Sequence, residues 1–149
     1  HMILHSSTRR SVVSKSRQLY LMRRRQMSIG DRSGLEIIPG LPNLRELNLA
    51  DCHNLRDDGL DHVIVSKSIE ALYLDNGKTI TDEGIARLVG MSTLKELTLQ
   101  GCANLTDESL RSVSKLRGLE YLDISNCLQM TDEGRRKIQK ALPNYTIVV

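Results

Sequence analysis

Apolar residues recur in this chain in one spelling, repeated every 25 residues: Leu44, Leu47, Leu49 and Cys52; Ile69, Leu72 and Leu74; Leu94, Leu97, Leu99 and Cys102; Leu119, Leu122, Ile124 and Cys127. Leu47 and Leu49 share a parity, as do Glu46, Asn48 and Ala50, so each copy predicts a short strand with one apolar and one solvent-facing side. A polar turn follows, and then Asp57-Asp58-Gly59-Leu60, Thr81-Asp82-Glu83-Gly84-Ile85 or Thr106-Asp107-Glu108-Ser109-Leu110. A Thr ahead of two acids predicts a helix start, with the hydroxyl capping a backbone N–H and the carboxylates facing the positive end of the dipole. One strand and one short helix cannot bury their apolar faces alone, but stacked copies can. The pattern therefore predicts an α/β solenoid, a right-handed β-α superhelix. Its parallel strands line the concave side and its short helices the convex side, because a helix needs more room than a strand.

Following the period outward predicts the ends. One step back from Leu44, Leu47 and Leu49 reaches Leu19, Met22 and Arg24, while Gly34-Leu35 aligns with Gly59-Leu60. One step forward from Leu122 and Ile124 reaches Ile147 and Val149, which predicts a closing strand over 144–149 after the helix stop at Leu142-Pro143. The expected organisation is a basic arm, 1–17, and one repeat domain, 18–149. Its repeats fall at 19–43, 44–68, 69–93, 94–118 and 119–143.

Charge divides along the same line. Residues 1–30 hold seven of the 21 Lys and Arg and none of the 18 Asp and Glu, so the net charge of +3 conceals a basic segment and an acidic body. Such a segment can bind an acidic surface or nucleic acid, or act as a targeting peptide. Phe and Trp are absent, so aliphatic residues must fill the interior. No run of 18 or more apolar residues predicts a membrane span, and no compact apolar region marks a secretory signal. The expectation is an intracellular, cytoplasmic protein, with mitochondria as the alternative.

Little in the sequence suggests chemistry. Cys52, Cys102 and Cys127 share one repeat position, which Gly77 takes in the odd copy, and they lack the paired short spacing of metal sites. Packing under the turn explains them better, although stacking could bring Cys102 near Cys127 for an oxidative bridge. His5, His53 and His62 are scattered with no acid or nucleophile at a suggestive offset. Gly59, Gly84 and Gly134 recur in the first helical turn, where a missing side chain allows coils to pack closely. Asn104-Leu105-Thr106 and Asn144-Tyr145-Thr146 match the glycosylation pattern by chance in a chain of this class. No catalytic residue, metal or cofactor is expected.

The concave face can be listed by parity as Leu21, Glu46, Ala71, Glu96 and Tyr121; Arg23, Asn48, Tyr73, Thr98 and Asp123; Arg25, Ala50, Asp75, Gln100 and Ser125. Glu46, Asn48, Tyr73, Asp75, Glu96, Thr98, Gln100, Tyr121 and Asp123 are the candidate partner-binding residues, with Arg23 and Arg25 as a basic edge. Tyrosine offers a rigid apolar ring with a polar tip, and the surrounding carboxylates favour a protein partner with a basic segment. The same carboxylates disfavour nucleic acid.

The spelling Leu-x-x-Leu-x-Leu-x-x-Cys followed by Thr-Asp-Glu-Gly resembles the cysteine-containing class of leucine-rich repeats over about residues 44–142. That class occurs in F-box substrate receptors, in the antagonist-of-mitotic-exit-network family and in many bacterial proteins. The resemblance implies a non-enzymatic interaction scaffold. One version is the substrate-recognition part of a ubiquitin-ligase receptor, although residues 1–43 do not read as a three-helix F-box. The repeat body with its final strand is also similar to the ATP-synthase coupling factor B family. Together with the Ser- and Arg-rich residues 2–30, that implies a mitochondrial assembly factor as the alternative.

Overall fold

The structure is a computed structural model, and it describes residues 26–28 and 32–149. Six strands, β1 (Gln26–Ser28), β2 (Glu46–Asn48), β3 (Ala71–Tyr73), β4 (Glu96–Thr98), β5 (Tyr121–Asp123) and β6 (Thr146–Val148), form one parallel sheet in sequence order. The outer layer begins with 3-10 segments at Arg32–Gly40 and Asp57–Leu60. It continues with four helices, α1 (Asp61–Ile64), α2 (Asp82–Arg87), α3 (Asp107–Val113) and α4 (Asp132–Ala141). The expected short helices are thus partly 3-10, most of all where Pro39 removes a backbone donor.

Register follows the apolar parity. Leu47, Leu72, Leu97 and Leu122 are neighbours across β2 to β5, and all are fully buried. Behind them one continuous core runs from Leu35 to Leu142 between the strand and helix layers. The closing strand forms as the period predicts, with Ile147 beside Leu122. The Tyr145 hydroxyl anchors that last turn by donating to the carbonyls of Leu116 at 3.1 Å and Arg117 at 3.2 Å. In the last coil Arg135 takes the slot of Leu60, Ile85 and Leu110. Its guanidinium donates to the carbonyls of Met130 at 2.8 Å and Cys127 at 2.9 Å.

The first coil departs from the extrapolated period. Met27, not Met22, sits in register with Leu47, so the strand lies five residues later than expected. Leu35 keeps its place under Gly59. Strand and helix positions are therefore eight residues apart here (Met27 to Leu35), against 13 between Leu47 and Leu60. The difference lies between β1 and the first 3-10 segment; in the later coils the strand is followed by a left-handed residue and then the Cys position. Those left-handed residues are Asp51 (φ 60°), Asn76 (φ 58°), Gly101 (φ 72°) and Asn126 (φ 57°). Each is Asp, Asn or Gly, the residue types that tolerate this conformation.

A second device ties coil to coil. Asp57 accepts the Thr81 N–H at 2.8 Å as well as the Thr81 hydroxyl. Asp107 holds Thr131 in the same way, and Asp82 holds Thr106 while also accepting the Ser109 hydroxyl. The acids that open the second 3-10 segment, α2 and α3 are thus clamps on the next coil, a use beyond the dipole role their position predicts. Thr106 and Thr131 do cap their helices, through bonds from the Glu108 and Gly134 N–H groups, whereas Thr81 makes no such cap.

The three cysteines are buried thiols, and Cys102 and Cys127 form no bridge. Each of these two thiols donates to a carbonyl of the preceding coil, Cys102 to Leu74 at 3.2 Å and Cys127 to Leu99 at 3.0 Å. Burial pushes the Cys102 thiol up to about 12 and the Cys127 thiol in the same direction. Thiolate is the reactive form, so the native protein should resist Ellman's reagent at neutral pH and yield all three thiols only in denaturant. Fast release of thiol signal from the native chain would contradict this packing.

Candidate functional site

The outward side of the sheet carries two rows from the strands and a third from the residues just after them. In register, the first row is Gln26, Glu46, Ala71, Glu96, Tyr121 and Thr146, and the second is Ser28, Asn48, Tyr73, Thr98, Asp123 and Val148. Ala50, Asp75, Gln100 and Ser125 follow at the strand exits. The sheet thus brings together all nine of the predicted partner-binding residues. Arg23 and Arg25 lie outside the described residues, and the register gives Ser28 the row position expected of Arg23 and Gln26 that expected of Leu21. The row position expected of Arg23 is therefore held by an uncharged residue.

Glu46, Asn48, Tyr73, Asp75, Glu96, Tyr121 and Asp123 are half-buried, Gln100 is exposed, and Thr98 is buried, contrary to a simple parity reading. Its neighbours in register are a tyrosine and an aspartate, and their bulk covers the shorter Thr98 side chain. The loops above the strands are stiffened by side chains of this face. Asn48 Oδ1 accepts from the Ala50 N–H at 2.8 Å, and Asp123 Oδ1 accepts from the Ser125 N–H at 2.9 Å and hydroxyl at 2.6 Å. Asp75 Oδ1 accepts the Gln100 N–H of the next coil at 2.9 Å.

Charge makes this surface distinct. From β2 to β5 its 12 outward positions hold four acids and two tyrosines but no Lys or Arg. The basic residues of the body lie on the rim and the convex side, where Arg45 and Lys95 meet Glu70, Arg87 meets Asp61 and Glu83, and Lys137 meets Glu133. Burial raises the pKa of Tyr73 and Tyr121, and the nearby carboxylates raise both further; the Tyr73 hydroxyl donates to Glu46 at 3.4 Å. Burial also raises the Asp75 carboxyl, with Asp123 and Asp51 adding to the shift, while the neighbouring Thr98 hydroxyl and the Gln100 N–H oppose it. A carboxylate raised above its unfolded value destabilises the fold at neutral pH, and acidification through its folded pKa relieves the cost. At neutral pH the Asp75 charge therefore carries a cost in stability.

The convex side offers a cleft of about 320 Å³ between α3 and α4, rimmed by Asp107, Glu133 and Lys137. Its apolar floor, Leu110 and Ile138, is only 4% and 2% exposed, so little apolar surface is available to a ligand there. Among the described residues no group of His, Cys, Asp and Glu is arranged to hold a metal ion. No helix among them is long and apolar enough to cross a membrane.

A parallel strand ladder, a helix layer and one repeating core spelling define a leucine-rich-repeat protein, and residues 40–61 and 90–114 match the leucine-rich-repeat family model. This chain has that repeat fold. The sequence matches none of the curated proteins. Among solved structures, it is similar to a Leptospira interrogans LRR protein at 25% identity, covering 73% of this chain and 26% of that one, with a TM-score of 0.50. A structure of the yeast Rad7–Elc1 complex aligns at 20% identity over 79% of this chain and 32% of that one, TM-score 0.60. The Drosophila melanogaster SNF/U2A′ complex aligns at 17% identity over 87% and 74%, TM-score 0.55. The chain thus spans about a quarter to a third of the length of the first two. Leucine-rich repeats of this kind are typically non-enzymatic scaffolds for protein interaction.

Proposed function

We propose that the chain is a non-enzymatic interaction module that binds a protein partner on its concave strand face. The segregation of charge carries this reading: acids and tyrosines occupy the outward strand positions, and the Lys and Arg of the body lie elsewhere. A rigid parallel sheet holds these side chains at fixed spacing, which reduces the entropy lost on binding. Tyrosines ringed by polar groups are frequent energetic anchors of interfaces. Two of the structural neighbours are complexes, which accords with a partner-binding role for this fold.

A basic segment of the partner would complement the face, and nucleic acid phosphate would be repelled by it. The substrate-receptor and coupling-factor versions both fit a repeat body of this kind. The domain division at residue 18 remains our proposal, with the first coil's strand moved to Gln26–Ser28. The test is Tyr73→Ala combined with Asp123→Lys in a pull-down with a cognate partner. Capture is expected to fall at least about tenfold, the scale of losing one anchor and reversing one charge. Undiminished capture by the double variant would remove the concave face as the binding surface.

A further inference from the structure

Thr98 lies at the middle of the concave rows, in register between Tyr73 and Asp123. The residue is 9% exposed, and its Oγ1 has no hydrogen-bond partner among the described residues. The hydroxyl is near enough to Asp75 to influence that carboxyl, but the contact lacks hydrogen-bond geometry. A buried hydroxyl without a partner is unfavourable, and a ligand donor would relieve it. Around Thr98 stand Asp75, Glu96 and Asp123, and among the described residues none of the three forms a salt bridge. Among the described residues, the hydrogen bonds to Asp75 and Asp123 fall on Oδ1. The centre therefore holds carboxylate oxygens with no positive charge beside them among the described residues.

The missing group must be planar and rich in donors. A guanidinium can bond more than one carboxylate, reach a hydroxyl acceptor with a remaining N–H, and lie against a tyrosine face. An ammonium is a point donor that cannot make all three contacts at once. Tyr73 and Tyr121 supply the faces on either side, and the three acids are not arranged as metal ligands. Because the surroundings are rows of a sheet with no Lys or Arg, an extended basic segment can lie across them without meeting like charge.

We propose that the centre of the concave face, formed by Asp75, Glu96, Thr98 and Asp123 between Tyr73 and Tyr121, takes the guanidinium of an arginine presented by an extended basic segment of a protein partner. This rests on the concave-face reading above and specifies the chemistry it recognises. The probe is a fluorescein-labelled Gly-Ser peptide with arginines at alternate positions, titrated by anisotropy against the full chain at low salt. Its lysine and citrulline counterparts are run in parallel. The arginine peptide should bind at least about tenfold more tightly than the lysine peptide, and the neutral citrulline peptide should not bind. Asp75→Asn with Asp123→Asn should weaken arginine-peptide binding at least about tenfold, while Glu133→Gln on α4 leaves it unchanged.

Thr98→Val tests the hydroxyl with little change of shape and should reduce the preference for arginine over lysine. Circular dichroism on each variant establishes that it is folded, and Thr98→Val serves if the double aspartate variant is not. Equal binding of arginine and lysine peptides, or no loss on the aspartate changes in a folded variant, would overturn the proposal. A tenfold gain in peptide affinity on replacing Arg23, Arg24 and Arg25 by serine would assign the centre to the chain's own basic segment and overturn the partner as occupant. If Tyr73→Ala with Asp123→Lys abolishes capture of a cognate partner while the peptides show no arginine preference, the concave-face reading stands and this inference fails.

Discussion

Replacing Asp82 by alanine is expected to lower the unfolding free energy by about 3 kcal/mol in a urea titration, an effect out of proportion to a half-exposed residue. Its carboxylate accepts the Thr106 N–H at 2.9 Å, the Thr106 hydroxyl at 2.6 Å and the Ser109 hydroxyl at 2.5 Å. Each acceptor is charged, and Ser109 is fully buried, so truncation leaves donors of the next coil without a partner. Glu83, the neighbouring acid, is exposed and should cost less than about 1 kcal/mol when truncated, since its ion pair with Arg87 lies in water. A loss no larger for Asp82 than for Glu83 would show that the clamps contribute nothing to coil stacking.

The pH dependence has a definite sign. Burial alone would raise the Asp82 carboxyl, but its hydroxyl and backbone donors together hold it below the ordinary value of 3.8. A depressed carboxylate contributes stability that is fully present above its unfolded pKa and is lost as pH falls through the folded one. The stability difference between the parent and Asp82→Ala should therefore be constant near neutrality and shrink below about pH 4.

Gly84→Ala is the second large effect, and its sign opposes helix propensity. In an ordinary exposed helix, exchanging glycine for alanine stabilises by about 1 kcal/mol. Here a Cβ would collide with Asp57 Oδ1 and stand 3.3 Å from Ile80 Cγ2. The methyl must displace the very carboxylate that grips Thr81, so a net loss of about 2 kcal/mol is expected. The equivalent position in the following coil is Ser109, whose Cβ is tolerated because its hydroxyl donates to Asp82. Gly84→Ser should therefore be less damaging than Gly84→Ala, although it is larger and a poorer helix former. Thermal unfolding of the two variants side by side decides this, and a more stable alanine variant would mean that the carboxylate yields freely.

These effects bear on what could be read without coordinates. The strands, their shared parity and the closing strand at Ile147 follow from period alone, because one buried column such as Leu47, Leu72, Leu97 and Leu122 imposes its register on its neighbours. The cysteines and helix-turn glycines also declared themselves as packing residues by recurring in phase. The clamp was less visible. Asp57, Asp82 and Asp107 read equally well as dipole acids, and nothing local says that their oxygens reach a threonine 24 residues ahead. The signal was present in the pairing of each Asp with a Thr one coil later, and in Gly or Ser where the carboxylate passes.

The site divides in the same way. Parity alone assigns Glu46, Tyr73, Glu96, Tyr121 and Asp123 to one face, since a period of two leaves no other choice. It assigns Thr98 there as well, but it could not say that larger neighbours bury it or leave its hydroxyl without a partner. The first coil failed for a related reason. With no strong apolar spelling before Leu44, the extrapolation had to assume a constant repeat length, whereas the register puts Met27 beside Leu47, 20 residues before it. By itself, then, the amino-acid sequence determined the repeat, its core columns and the chemical composition of the outward face, all properties of short-range periodicity. Tertiary structure decided which carboxylates clamp the next coil, which are left without counter-charge and where the first strand joins, because each depends on distances between residues a full coil apart.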